Sequence, residues 1–190
     1  MNYGKDFAEF EIKNLSVKFK DDESPAVRAG CVGSLEESMN TKTVTKKCEG
    51  ITVKQVTRGD GTGELKVTLH MLYDLFIKCF GMDFDDLKDG VHAYGRNSVH
   101  KPFCLTAEVY DEDENEKLKA YPNAVITSGI ARKIENGAEE VAEMEITIGV
   151  MPDDDGFGMY EAIVSTLADE EVKTKWMSDF SRDLVETEAV

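Results

Sequence analysis

Apolar and polar residues alternate with a period of two through most of this chain, and change to a helical period in only two places. The clearest alternation sets Met144, Ile146, Ile148 and Val150 against Glu143, Glu145, Thr147 and Gly149. Asn136-Gly137 precedes it, and a Pro-Asp-Gly stretch at 152–156 follows, before a short run ending near Ala162. This predicts a half-buried antiparallel hairpin with one apolar and one acidic face. Residues 8–19 also alternate, but Phe10 and Ile12 give way to Leu15, Val17 and Phe19. The slip at Lys13-Asn14 predicts a bulge or a break. Residues 26–35 read as a small-residue strand. Residues 51–56 and 65–71 read as strands joined by a glycine-rich turn at 58–63, and Leu65, Val67, Leu69 and Met71 supply one apolar face. Phe103, Leu105, Ala107 and Val109 resume the alternation. Residues 118–121 and 124–127 are short strands that Pro122-Asn123 separates as a turn.

Between these runs, Leu72, Leu75, Phe76, Cys79 and Phe80 share one helical face, and Gly81 ends it. Val172, Trp176, Phe180 and Leu184 recur every four residues behind Asp169, Glu170 and Glu171, acids that suit a helix's first turn. Residues 36–50 are polar, rich in threonine and lysine, and have little to bury, so they are expected to project as a hairpin or loop that gains order against a neighbour. The expected fold class is therefore mainly β: a two-sheet β-sandwich over residues 10–167, with one flanking α-helix at 70–81 and a projecting loop at 36–50. Residues 1–9 form an N-terminal arm, and residues 168–190 a C-terminal helix or arm.

A chain of 190 residues suits one domain with arms. Its 41% hydrophobic content is somewhat low for a compact globule, which points to burial completed on assembly. No apolar run reaches the roughly 18 residues that a membrane helix needs, and residues 1–9 lack the pattern of a signal peptide, so a cytoplasmic origin is expected. Cys31, Cys48, Cys79 and Cys104 form no Cys-x-x-Cys pair. They read as reduced, buried-tolerant residues, neither a disulfide framework nor a zinc site. The net charge is −16, of which residues 101–190 contribute −14. So acidic a surface does not hold nucleic acid by neutralising phosphates, although it can face DNA without retaining it.

Candidate chemistry reduces to turns and tips. Residues 111–116 place oxygens at alternate positions like a calcium loop, but Glu116 and Pro122 stand where that loop needs Gly and Glu. Residues 59–63 are glycine-rich without a following Lys-Ser/Thr, so they are no phosphate loop, and Arg58-Gly59-Asp60 is a common turn tripeptide. Cys104 with His100 or His92 is the nearest nucleophilic pair, yet Cys104 lies in an alternating strand with no sign of an electropositive pocket. No enzymatic activity, metal or cofactor is expected.

Residues 72–162 resemble the major tail (tail tube) proteins of long-tailed bacteriophages. The resemblance is carried by residues 105–110 before the acidic tip, 124–129, Ile130 through Gly137, Glu139-Glu140-Val141 with the strand to Val150, and Tyr160-Glu161-Ala162. Residues 1–70 match less clearly. The resemblance implies hexameric rings stacked into a tube through long loops and terminal arms. Phage DNA would pass through the lumen without specific binding. A tape measure protein and a tail terminator would be partners, and no membrane is involved. The location implied is the virion tail, assembled in the bacterial host cytoplasm. On this reading Thr41, Thr43, Val44, Lys46, Lys47, Trp176 and Phe180 are subunit-interface candidates, although Trp176 and Phe180 equally suit the domain's own core. Glu139, Glu140, Glu143 and Glu145 are candidates for an acidic lumen wall that repels the duplex. The alternative is a tail-tip or receptor-binding β-sandwich adhesion module, with an unrecognised hydrolase third.

Overall fold

The computed structural model describes residues 6–137 and 139–187, so parts of both expected arms (residues 1–5 and 188–190) lie outside the described residues. Eight strands dominate: β1 (Glu11–Phe19), β2 (Val27–Arg28), β3 (Gly30–Cys48), β4 (Ile51–Met71), β5 (Phe103–Tyr110), β6 (Glu116–Ile126), β7 (Met144–Val150) and β8 (Tyr160–Ile163). The helices are α1 (Tyr73–Cys79), α2 (Glu170–Asp179) and α3 (Arg182–Val185). The protein is thus mainly β, as its period of two predicts.

All eight strands join one antiparallel sheet, where the alternation led to an expectation of two. Its order is β2-β1-β5-β6-β7-β4-β3, with β8 paired to β6. The two ends of that order are nearly the same strand. β2 pairs with β1 through Ser16↔Arg28 and Val17↔Val27, and β3 begins two residues later against β4. Ala29, between them, donates its N–H to Leu15 O at 2.7 Å and accepts from Leu72 N at 2.9 Å. Gly30 then turns away at φ +135°, with its α-carbon so close to His70 O that a Cβ would lie 2.0 Å from that oxygen. The sheet therefore closes on itself at Ala29, and from there β1 and β3 diverge.

Two turn signals act as bulges instead. The glycine-rich stretch at 58–63 does not reverse the chain, because β4 runs through it. Met39 pairs with Gly63 and Thr41 with Gly59, so Asn40 faces Asp60, Gly61 and Thr62. Asp60 Oδ1 accepts from Thr62 N and Asn40 Nδ2 donates to Thr62 Oγ1, which folds the surplus residues locally and keeps the strand's direction. Pro122-Asn123 likewise sits within β6. Phe103 pairs with Ala124 and Leu105 with Tyr121, leaving an extra residue opposite Cys104. At this bulge β6 changes partner, from β8 at residues 117–120 to β7 at residues 124–126. The slip at Lys13-Asn14 is a bulge, as its pattern predicts, between Ile12↔Val109 and Asn14↔Glu108. The predicted closing hairpin is not formed. β7 has both edges occupied, by β4 and β6, so β8 pairs with β6. Strand structure also begins only at Met144, and residues 127–137 and 139–143 form loops.

The interior is filled by Leu65, Val67 and Leu69 of β4, by Ile146 and Ile148 of β7, and by inward residues of β1, β5 and β6. Helix α1 adds Leu75, Phe76 and Cys79. Each large aliphatic buried there contributes about 1.5–3 kcal/mol before chain entropy is set against it. A second cluster lies behind β6, where Leu118 and Ala120 meet Val172, Trp176 and Phe180. Asp169 caps α2 by accepting from Glu171 N at 2.8 Å, and Ser181 starts α3 by accepting from Leu184 N. β6 is consequently buried on both faces. Trp176 is 2% exposed and its Nε1–H donates to Lys119 O at 3.1 Å. Trp176→Ala should destabilise the fold by about 3–5 kcal/mol; urea unfolding followed by far-UV circular dichroism measures it.

Candidate functional site

Two features stand outside the closed body: the far end of the β3–β4 hairpin, and the opening where β1 and β3 part. The hairpin is paired along its length, from Gly30↔Met71 to Cys48↔Ile51, and ends in a tight Glu49-Gly50 turn. Residues 40–55 are all exposed, so this half of the hairpin buries nothing within its own chain. Thr41, Thr43, Val44, Lys46 and Lys47 all fall here. Val44 pairs with Val56, and Thr43 Oγ1 lies 2.8 Å from Thr57 Oγ1. Val44, Ile51 and Val53 are more than half exposed. Between Thr41 and Arg58 the cations are Lys42, Lys46, Lys47, Lys54 and Arg58, against Glu49 alone, a net +4 on a chain whose total is −16. The rest of the chain therefore carries −20.

The root of the hairpin is held by the loop between β7 and β8. Asp153 organises that loop: its Oδ1 accepts from Asp155 N at 3.1 Å and Phe157 N at 2.9 Å, and its Oδ2 from the Tyr160 hydroxyl at 2.5 Å. Burial raises the Tyr160 phenol, and the Asp153 carboxylate raises it further. Gly158 then packs directly against β4, where an added Cβ would lie 1.9 Å from Gly61 O and 3.0 Å from Met39 Cε. Only bare backbones approach so closely.

The opening between β1 and β3 forms a cleft of about 750 Å³, walled by Glu9 to Ile12 on one side and Val32 to Leu35 on the other. At its floor lies Lys119, 4% exposed. Its ammonium donates to Glu37 Oε2 at 2.9 Å and sits 2.8 Å from Glu9 Oε1. The Tyr121 hydroxyl donates to the same Glu37 oxygen at 2.5 Å. Burial alone would lower the Lys119 ammonium, but Glu9 and Glu37 outweigh it and raise it. Burial would raise the Glu9 carboxyl, yet Lys119 and Lys117 hold it below its ordinary value. Burial and Glu37 together push the Tyr121 phenol far up. This clasp joins the segment before β1 to β3 and β6. Sequence reasoning did not find it. The available signal was Lys117 and Lys119 alternating with Leu118 and Ala120 in a strand buried on both faces.

Of the remaining predicted residues, Trp176 and Phe180 lie in the chain's own second core. Glu139, Glu140, Glu143 and Glu145 are all exposed, the first three in the loop before β7 and the last on β7. Ile134 and Val141 of that loop are 90% and 81% exposed. The tip at 111–116 is closed by Asp111, whose Oδ1 accepts from Asp113 N and Asn115 N at 2.9 and 2.8 Å and whose Oδ2 accepts from Asn115 Nδ2. It is an Asx-capped turn. Burial pushes the Cys79 and Cys104 thiols up to about 12, which keeps both protonated. His100 is engaged elsewhere: its Nδ1 lies 2.6 Å from Ile126 O and its Nε2 3.1 Å from the Tyr94 hydroxyl. No group of three or more potential metal ligands clusters among the described residues. No helix among them is long and apolar enough to cross a membrane.

No protein-family model and no curated protein sequence matches this chain. Among solved structures it is similar to a chain of the anti-feeding prophage baseplate, with a TM-score of 0.47 and 10% identity, over 86% of this chain and 100% of that one. It is also similar to a chain of the anti-feeding prophage tube-terminating cap, with a TM-score of 0.43 and 11% identity, over 85% and 98% respectively.

Two outcomes follow from the site's geometry. A depressed carboxyl stabilises the fold above its unfolded value and loses that contribution as pH falls through the lower folded value. A raised ammonium stabilises below its unfolded value and loses that contribution only in strong alkali. The Glu9–Lys119 clasp should therefore hold between roughly pH 4.5 and 10.5, the ordinary values of the two groups. Amide exchange in residues 6–10, corrected for intrinsic pH dependence, should accelerate only below that window or above it. Gly158→Ala should destabilise by about 1–3 kcal/mol through overpacking against Gly61, and should tilt the hairpin without unfolding the body; thermal unfolding and spin-label distances from Cys48 to the body read the two effects.

Proposed function

We propose that this chain is a self-assembling structural subunit of a phage-type tail, in the role of the major tube protein: copies close into rings, and the rings stack into a hollow conduit. The observation that carries this reading is the hairpin. An isolated two-stranded ribbon is marginal in water at best, and this one extends, fully paired and apolar-dotted, beyond any core of its own. Its +4 end projects from a −20 body, so each copy presents a cationic projection and an anionic surface to others like it. Such a surface pair is head-to-tail and propagates into rings or filaments.

The acid excess suits the inside of a conduit. DNA held by lysine–phosphate contacts would be retarded, while carboxylates repel it. Glu139, Glu140, Glu143 and Glu145, exposed on and beside β7, are the residues proposed to face the bore. Six subunits per ring, stacking through the hairpin and arms, and association with a tape measure protein and a tail terminator follow from the resemblance to tail tube proteins. In this role the chain needs neither catalysis nor a cofactor.

The test is assembly itself. Light scattering and negative-stain microscopy across protein concentration, from low ionic strength to about 0.5 M salt, should show rings or tubes growing with concentration. Salt should help at first by screening the long-range repulsion between acidic bodies. Cys48 at the hairpin tip should lose thiol reactivity as assembly proceeds. A monomer under every condition, with Cys48 always reactive, would favour the adhesion-module alternative.

A further inference from the structure

We infer that the cleft between β1 and β3 is the acceptor for the β3–β4 hairpin tip of a second copy of this chain. The inference rests on the self-assembly reading and adds to it the place where the hairpin docks.

Backbone pairing comes first. β1 is covered by β2 only at Ser16 and Val17, so the stretch from Glu11 to Asn14 has β5 as its one strand partner among the described residues. β3 has only β4. Both walls of the cleft thus include strand edges, the arrangement that accepts a further strand, although Lys13 O on the β1 edge already accepts from Arg28 Nη2 at 3.1 Å. Apolar surface lies beside those edges: Phe10 is 78% exposed, and Ile12, Val32 and Leu35 are half-buried. The hairpin tip offers matching material in Val44, Ile51 and Val53.

Charge selects the occupant. The cleft is lined by Glu9, Glu11, Glu37 and Glu161; its one lining cation, Lys119, is shared between Glu9 and Glu37, while Lys117 reaches Glu9 and Glu161 and Lys13 reaches Glu11, so four carboxylates meet three cations. The opening therefore stays negative. The strongly cationic strand pair of this chain is its own hairpin tip, and a second copy supplies it in the conformation needed. Within one copy the contact cannot form. β3 is a wall of the cleft at Ser34 and runs on as a paired strand to Lys46, twelve residues away, which at about 3.3 Å per residue sets the tip about 40 Å from its own cleft. Each copy then donates one tip and accepts another, and copies joined this way repeat at about 40 Å along the hairpin direction. Close ion pairs in the filled cleft are screened less than the long-range repulsion between bodies, so moderate salt and this contact are compatible.

A charge-swap experiment decides it. Lys46→Glu with Lys47→Glu on the hairpin, and Glu11→Lys with Glu161→Lys on the cleft, are made separately and together, sparing Glu9 and Glu37. Circular dichroism checks that each variant folds. Each pair alone should lower the pelletable assembled fraction at least tenfold. An equimolar mixture of the two pair-variants, and the fourfold variant, should restore it to within threefold of the unaltered chain. The spacing in restored fibres should be about 40 Å. If the unaltered chain assembles and the cleft variant assembles equally well, the hairpin docks elsewhere and this inference falls while the tube reading stands. Absence of rescue has the same consequence, as does assembly that requires added duplex DNA, which would direct the hairpin to phosphate. If the unaltered chain never assembles, both fall.

Discussion

At Ala29 a single residue bonds on one side to β1 and on the other to Leu72, the residue that follows β4, so it ties together opposite ends of the sheet order. Its N–H reaches Leu15 and its C=O accepts from Leu72, with the residue itself wholly buried. Because backbone groups in the interior must be paired, this junction fixes where the sheet closes and also where it stops closing. Up to Arg28 the chain belongs to β1, and from Gly30 it belongs to β4. The enclosed core, the open cleft and the direction of the hairpin all follow from that transfer. A strand that stayed with β1 would seal the cleft, and it would leave β4 without the partner that carries it outward.

The division of labour along β4 shows how one strand can serve two environments. From Leu65 to Leu69 its alternate side chains are buried against α1 and β7, while from Ile51 to Arg58 the same alternation meets solvent on both faces. The bulge at Asp60 to Thr62 separates the two regimes, and the β7–β8 loop grips the strand there through the Gly61–Gly158 approach. The folded body and the projecting ribbon are therefore mechanically joined but energetically distinct. The body is stabilised by apolar burial, and the ribbon by pairing and threonine contacts alone.

Much of this was legible in the sequence. The alternation located β1, β5 and β7, the slip at Lys13-Asn14 marked a real bulge, and the change of period found α1 and α2, although Asp169, expected in the first turn of α2, is its cap. The failures share a cause. Glycine at 59–63 and Pro122-Asn123 announce a departure from regular backbone, but a turn and a bulge use the same residues, and only the partner strand decides between them. Strand β7 was paired with the wrong neighbour because alternation reports faces and is silent about edges. The Glu9–Lys119–Glu37 clasp joins residues more than eighty positions apart, so no local pattern could reveal it. The polar segment at 36–50 is expected to project for the opposite reason, that little in it can be buried, but residues 51–56, read as a strand turning back at 58–63, project with it as its partner strand.

Residues 40–55 of the ribbon are all exposed, and side chains in a strand repeat their orientation every second residue. Removing or inserting one facing pair of dipeptides near the tip would alter its reach by about 7 Å while leaving every orientation and every interior contact intact. Reach is thus a property that can drift between lineages, or be dialled by an engineer, without renegotiating how the domain folds. A length scale in any larger architecture made from such units would then be written in strand residues, as on a ruler whose gradations can be added or cut two at a time.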